Sequence, residues 1–148
     1  MPRLSKTAVA ALLPSVIGQP GTPLTTNWMR VFPEPQPLDL YVSQCKPSSA
    51  SDGKWDYHFF HTLSFETIQE IGVRSGILIL LNYVDQLFAV LDTSDMMWVV
   101  RYSSRSKSNE GIVCDFVIDL DASGSYYLRP YDRNRSVRRN VQVQTWVR

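Results

Sequence analysis

The sequence predicts an α+β domain with a barrel-like, mixed but mainly antiparallel sheet and two short helices, preceded by an N-terminal helix. Three observations predict this class. Short apolar or alternating segments recur between polar turns, which is typical of strands. Two intervening segments place apolar residues on one side at helical spacing. Four Trp, seven Tyr and six Phe strengthen the strand prediction, because aromatic side chains are enriched in sheets.

Length and composition indicate one folded domain. The chain has 148 residues, of which 44% are hydrophobic and 20% charged, as in ordinary globular proteins. Its apolar runs, such as Ile77 to Leu81, are far too short to cross a bilayer. Cys45 and Cys114 lack the spacing of a metal site. We therefore expect free thiols in a cytoplasmic protein without a membrane partner.

Residues 1–37 are predicted to form a helix followed by a proline-rich wrap. Ser5 is the expected N-cap of the helix. Residues 14–37 contain six prolines, which exclude a regular helix and a central strand there. The segment is either an ordered wrap around the domain or a linker to it. Four of its apolar side chains are expected to dock on the core: Trp28, Met29, Val31 and Phe32.

Residues 38–148 are predicted to form the main domain. Its first half comprises a strand at 38–45, a polar loop at 46–54, a strand at 55–63, a helix capped by Ser64 and ended by Gly72, and a hairpin of strands at 77–84 and 87–91. Its second half comprises a helix capped by Thr93 or Ser94, a polar and basic loop at 103–111, strands at 112–121 and 125–130, and an alternating last strand at 140–147.

Positive charge is concentrated near the C-terminus. Residues 1–100 carry six Lys+Arg against nine Asp+Glu, a net −3, whereas residues 101–148 carry nine against five, a net +4. Six of the last twenty residues are Arg, whose planar guanidinium suits phosphate oxygens and guanine edges. A basic patch on a near-neutral domain predicts one face that binds a polyanion. The alternative is a solvated basic tail.

Catalytic motifs are weak in this sequence. Asp39, Asp52 and Lys54 form a loose match to a metal-dependent nuclease, but Asp52 lies in a Ser/Gly-rich loop rather than on a strand. Asp115, Asp119 and Asp121 are expected to be solvated carboxylates on or beside a strand. His58 and His61 fall on opposite faces of a strand, which makes them poor ligands for one metal. We expect no catalytic residues, no metal and no cofactor.

The strand LDLYVSQC, the loop KPSSASDGK, the strand WDYHFFHTLS and the helix FETIQEIG resemble, in this order, the opening of the B3-like DNA-recognition pseudobarrel. That fold occurs in plant transcription factors and in DNA-binding domains of some restriction endonucleases, the EcoRII type among them. The predicted hairpin, second helix and closing strands follow in the family's order. The resemblance implies that the loop at 46–54 is an arm that enters the major groove. The second arm is either the short connection 83–87 or, in another alignment, residues 129–140.

The resulting prediction is a sequence-specific double-stranded DNA-binding module. The resemblance implies the recognition or effector module of a restriction-type endonuclease, whose nuclease domain lies elsewhere in the full-length protein. The alternatives are a small metal-dependent nuclease and an interaction domain that binds an acidic partner through its Arg-rich end. The predicted DNA contacts are Ser48, Ser49, Ser51, Asp52, Lys54, Arg105, Lys107, Arg129, Arg133, Asn134, Arg135, Arg138 and Arg139.

Overall fold

A computed structural model describes residues 3–25, 27–32, 36–45, 48–49, 56–108, 111–131 and 137–146. These residues form an α+β fold with mainly antiparallel sheets, which confirms the predicted class. Three helices lie within these ranges: α1 (Lys6–Ile17), α2 (Phe65–Val73) and α3 (Thr93–Tyr102). The strands described are β1 (Thr22–Pro23), β2 (Trp28–Val31), β3 (Leu38–Cys45), β4 (Ser48–Ser49), β5 (Asp56–Ser64), β6 (Ile77–Asn82), β7 (Leu87–Leu91), β8 (Ser104–Ser108), β9 (Gly111–Leu120), β10 (Tyr126–Pro130), β11 (Arg139–Asn140) and β12 (Gln144–Thr145).

The first sheet, sheet A, has the strand order β1-β2-β3-β6-β7-β12. Its neighbours are antiparallel except β3 and β6, which run parallel with Leu40 opposite Ile77. A glycine is required where β6 begins, because a Cβ on Gly76 would lie 2.6 Å from the carbonyl oxygen of Asp39. The predicted hairpin is confirmed as β6 and β7.

The second sheet, sheet B, has the order β11-β10-β9-β5-β4, and its strands are all antiparallel. Strand β9 is the central strand of this sheet. The edge of β9 opposite β5 is shared by two partners, because β8 pairs with its first half and β10 with its second half. Strands β8 and β10 therefore lie end to end along one edge of β9.

The proline-rich segment contributes more regular structure than predicted. Ser5 caps α1 as expected, with its Oγ accepting from the Ala8 N–H at 3.1 Å. The helix then continues through Pro14 to Ile17 and ends at Gly18, whose φ is 77°. Strand β2 pairs with β3, so sheet A extends across the predicted boundary at residue 37. The segment is therefore partly sheet rather than a simple wrap.

Three of the four side chains expected to dock from this segment do so. Trp28, Met29 and Val31 are buried, because β2 lies inside sheet A between β1 and β3. The prediction for Phe32 is wrong, since its side chain is 65% exposed beyond the end of β2.

Side-chain hydrogen bonds at the N-cap fix where the helices α2 and α3 begin. Ser64 caps α2 as predicted, but the helix passes through Gly72 and ends at Val73. The N-cap of α3 is Asp92, rather than the predicted Thr93 or Ser94. Asp92 and Asp95 exchange side chain–backbone hydrogen bonds of 3.0 and 3.1 Å, a capping box that satisfies two amides at the helix start.

Two other predicted elements differ from the structure. The polar loop predicted at 103–111 contains β8, because its backbone pairs with β9. The single last strand predicted at 140–147 is instead two short pairings, β11 in sheet B and β12 in sheet A. The C-terminal segment therefore passes from one sheet to the other.

Sheet A is apolar on both faces, which explains the continuous apolar run of β6. Leu78 and Leu80 join a core cluster with sheet B and the helices α2 and α3. Ile79 and Leu81 join a second cluster, which α1 covers. Cys45 and Cys114 are buried free thiols in the first cluster, as predicted.

Candidate nucleic-acid interface

Arg129 does not belong to a DNA-binding surface. Its side chain is fully buried, and its Nε donates to Asp119 Oδ2 at 3.1 Å while its Nη1 donates to the Pro130 carbonyl at 3.1 Å. A buried guanidinium needs such partners because desolvation of an unpaired charge is costly. The predicted DNA contact of Arg129 is therefore corrected to a structural ion pair. Asp119, expected to be solvated, is buried by the same pairing.

Arg139 links two elements. Its Nε donates to Asp95 Oδ1 at 2.7 Å, which ties β11 to the first turn of α3. Its side chain is 39% exposed. The residue is a neighbour of the predicted interface, with its charge already matched by a carboxylate.

Arg138 lies on the surface. Its guanidinium stacks 4.7 Å from the ring centroid of Tyr127, and its Nη2 is 4.0 Å from Asp121 Oδ2. Asp121 is held in a turn by the Ser123 hydroxyl and by the amides of Ser123 and Ser125. These hydrogen bonds, that of the Ser123 hydroxyl first, lower the pKa of Asp121. Arg138 therefore presents a cation fixed by an aromatic ring and only distantly matched by an acid.

Strand β8 carries two exposed cations, Arg105 and Lys107. The Arg105 guanidinium lies 5.4 Å from the Phe65 ring centroid, and its Nη2 donates to the Val100 carbonyl at 2.6 Å. Neither cation has an acidic partner within the part of the chain described. Their positive charges are therefore uncompensated by the described residues.

The other face of β8 lies beside a hydrogen-bonded carboxylate. Asp115 of β9 accepts hydrogen bonds from Ser106 Oγ at 2.8 Å and Thr62 Oγ1 at 2.7 Å. Since alternate residues of a strand point to opposite faces, Ser106 points away from Arg105 and Lys107. The positive side chains are thus separated from this carboxylate by the sheet itself.

The hairpin of β8 and β9 projects beyond sheet B. The pairing of β5 with β9 ends at Val113, whereas that of β8 continues to Gly111. Ile112 is 49% exposed on this projection. The hairpin end is a two-stranded ribbon with Lys107 on it, and a ribbon of this kind fits the major groove of DNA. Arg101, which the sequence analysis did not select, is exposed in the last turn of the adjacent α3.

Several predicted contacts cannot be placed on this surface. Ser48 and Ser49 form β4, which pairs with the start of β5, and only their backbone is described. The other predicted residues of the two arms lie outside the described residues: Ser51, Asp52, Lys54, Arg133, Asn134 and Arg135.

Asp39, the described carboxylate of the nuclease alternative, belongs to an ion-pair network. Asp39 accepts from Arg30 at 2.7 and 3.2 Å and from Arg74 at 3.2 Å. The Arg30 hydrogen bond is the main reason that the pKa of Asp39 is lowered. Both oxygens are occupied by guanidinium donors, which leaves this carboxylate poorly suited to a metal. Within the described ranges, His, Cys, Asp and Glu form no group of three that could hold a metal ion.

His61 is a buried, interior histidine. Its Nδ1 lies 3.0 Å from Ser43 Oγ. Its ring is stacked against the rings of Phe59 and Phe116, with centroid distances of 6.1 and 5.7 Å. Burial, with a smaller contribution from the charge of Arg3, lowers its pKa to about 3. The ring is therefore neutral at physiological pH and joins β3 of sheet A to β5 of sheet B. The side chain of His58 lies outside the description.

The described helices are all too short or too polar to cross a membrane. Comparison of the chain with protein-family models, with curated proteins and with solved structures gives no match.

Proposed function

We propose that this protein binds double-stranded DNA, and that the β8–β9 ribbon takes part in the contact. The observation that carries the proposal is the pair of exposed cations, Arg105 and Lys107, without an acidic partner in the described chain. Phosphate groups supply most of the affinity of DNA complexes, and exposed cations are their usual ligands. Arg138 is a further exposed cation, but it stacks on Tyr127 and so lies on the face of sheet B opposite Arg105 and Lys107.

The division of labour among the cations supports this proposal. Arg129, Arg139, Arg30 and Arg74 are each engaged by a carboxylate. A contribution to fold stability explains these four ion-paired arginines, whereas the exposed Lys107 makes no such ion pair with a described residue. Charge that the fold does not use is the expected property of a binding surface.

We also propose that the two sheets form the pseudobarrel of B3-like domains. The described order from β3 onward is strand, strand, helix, hairpin, helix and further strands, as in the resemblance. Two connections between the sheets are consistent with a barrel-like arrangement: the Ser43–His61 hydrogen bond and the C-terminal segment. On this proposal, the residues at 46–54 supply an arm for the major groove.

The biological setting that we propose follows the same resemblance. The chain would be the cytoplasmic recognition or effector module of a restriction-type endonuclease, with cleavage by a nuclease domain elsewhere in the full-length protein. The chain by itself would then bind DNA without cutting it, with no metal and no cofactor.

The test is the salt dependence of binding to a random-sequence duplex. Each phosphate contact contributes a slope of about −0.9 to log K against log salt. We expect Lys107→Ala to flatten the slope by about 0.9 and Arg105→Ala by a similar amount, measured by fluorescence anisotropy between about 50 and 200 mM salt.

Lys6→Ala is the matched control, because Lys6 is also exposed but lies on α1, on the far side of sheet A. Its slope should equal that of the parent. An unchanged slope in both β8 variants would remove the ribbon from the interface. Equal binding to heparin and duplex would instead favour an interaction domain for acidic partners.

A further inference from the structure

The C-terminal segment presents a row of uncharged amides. Arg138, Asn140, Gln142 and Gln144 are exposed, whereas the residues between them are partly buried. Val141 and Val143 pack against the main core cluster. The alternation therefore has a structural cause: the valines fix the segment and turn the amides outward. We call Asn140, Gln142 and Gln144 the amide row.

The amide row borders a groove. A cavity of about 420 Å³ lies between the row and the turn before β10, with Ser125 and Tyr126 on the opposite wall. None of the three amide side chains makes a hydrogen bond within the described residues. Donors and acceptors of all three are therefore available to a ligand in or over this groove.

We propose that the amide row reads base edges in bound double-stranded DNA, with adenine as the preferred base. An Asn or Gln amide offers one donor and one acceptor side by side, which matches N6 and N7 of adenine in the major groove. Amides also contact phosphates, but their paired donor and acceptor can distinguish one base from another, which a contact to phosphate alone cannot do. This inference rests on the proposed DNA-binding function.

The spacing of the row fits a duplex. An extended chain rises about 3.3 Å per residue, so alternate side chains are about 6.6 Å apart. Successive bases on one strand of B-DNA are about 3.4 Å apart along the axis. An extended row laid along a groove would therefore space neighbouring amides by about two base steps. Arg138 starts the row and, stacked on Tyr127, is placed to hold the neighbouring backbone.

The experiment begins by selecting a preferred duplex from a randomised pool with the parent protein. The ratio of the random-duplex Kd to the selected-duplex Kd is then measured at fixed salt for the parent and for the triple variant N140A/Q142A/Q144A. One bidentate amide–base contact gives about 5- to 150-fold discrimination. We expect the ratio to fall at least fivefold in the triple variant. The Kd for random duplex should stay within about twofold, because phosphate contacts remain.

Two further variants sharpen the result. Gln36→Ala removes an exposed amide outside the row and should leave the ratio unchanged. Gln142→Glu makes the side chain an acceptor only, which should move the selected base at one position from adenine towards cytosine. This change of preference can be read from selection alone, even if the triple variant is poorly folded.

The outcomes are distinct. An equal ratio in the triple variant and the parent, with no change of base in Gln142→Glu, would overturn the amide row while leaving DNA binding intact. Parent binding without any sequence preference would do the same. Absence of duplex binding by the parent would overturn both the proposed function and this inference.

Discussion

At the residue scale, cationic side chains serve opposite purposes in this protein. Arg129 and Lys107 both lie on strands that pair with β9, yet Arg129 is fully buried against Asp119 and Lys107 is exposed without an acidic partner in the described chain. A guanidinium can be buried when hydrogen bonds and a carboxylate compensate its desolvation. The sequence shows six Arg among the last twenty residues but not which carboxylate each one meets, so it could not separate the two purposes.

His61 makes a prediction about pH. Its folded-state pKa of about 3 is below the unfolded value of 6.5, so the unfolded chain binds the proton first as pH falls. Stability attributable to this residue is therefore intact above pH 6.5 and is lost progressively between pH 6.5 and 3. We expect a loss of about 2 kcal/mol between about pH 7 and 5, measured by urea unfolding.

The comparison for this loss is His61→Phe, which keeps an aromatic ring between Phe59 and Phe116 but cannot titrate. Because Ser43 loses a partner in this variant, the informative quantity is the change of stability with pH rather than its absolute value. If the parent and His61→Phe lose the same free energy between these pH values, His61 is not a buried neutral group.

At the element scale, the C-terminal segment connects the two sheets through very few paired residues. Strand β11 adds two residue pairs to sheet B and β12 adds two to sheet A. Beyond β12, Trp146 is only 4% exposed and lies in the cluster under α1. We infer that the Trp146 side chain anchors the segment more than the strand pairing does.

Trp146→Ala is therefore expected to reduce the free energy of unfolding by about 3–5 kcal/mol, as for other buried aromatic truncations. The neighbouring Thr145→Ala is the control, because Thr145 is exposed in the same short strand and should change stability by less than about 0.5 kcal/mol. Chemical denaturation followed by circular dichroism measures both. Equal effects would place the anchor in the backbone pairing instead.

Elements with a strong local sequence pattern could be predicted, whereas strands that form only by pairing with a neighbouring strand could not. Strand β3 has the predicted bounds because alternating apolar residues mark it between polar segments. Strand β8 consists of Ser, Arg and Lys, which carry no strand pattern, and it forms because β9 offers a free edge. Helix α1 passes Pro14 because burial of Val9 and Leu13 against sheet A offsets the missing amide donor.

At the scale of the whole molecule, part of the N-terminal charge is paired within the described fold. The Arg30–Asp39–Arg74–Glu70 network joins β2 and β3 to the C-terminal end of α2, and its two cations match its two carboxylates. Positive charge without a described acidic partner remains on Arg105 and Lys107 of β8, as it does on Arg3, Lys6 and Arg101, while Arg138 lies beside a distant Asp121. The sequence predicted the basic last third of the chain from its net +4, but only the three-dimensional arrangement shows which of its cations meet a carboxylate.

The most direct measurement of DNA binding by this surface is a titration of the isotope-labelled protein with duplex, followed residue by residue in amide NMR spectra. Contact with phosphates and bases alters the environment of nearby amides, whereas α1 lies on the far face of sheet A. We predict that resonances of β8 and of residues 138–144 shift progressively, while those of Lys6–Ile17 stay unchanged. No shift in either segment, or shifts confined to α1, would contradict DNA binding by this surface.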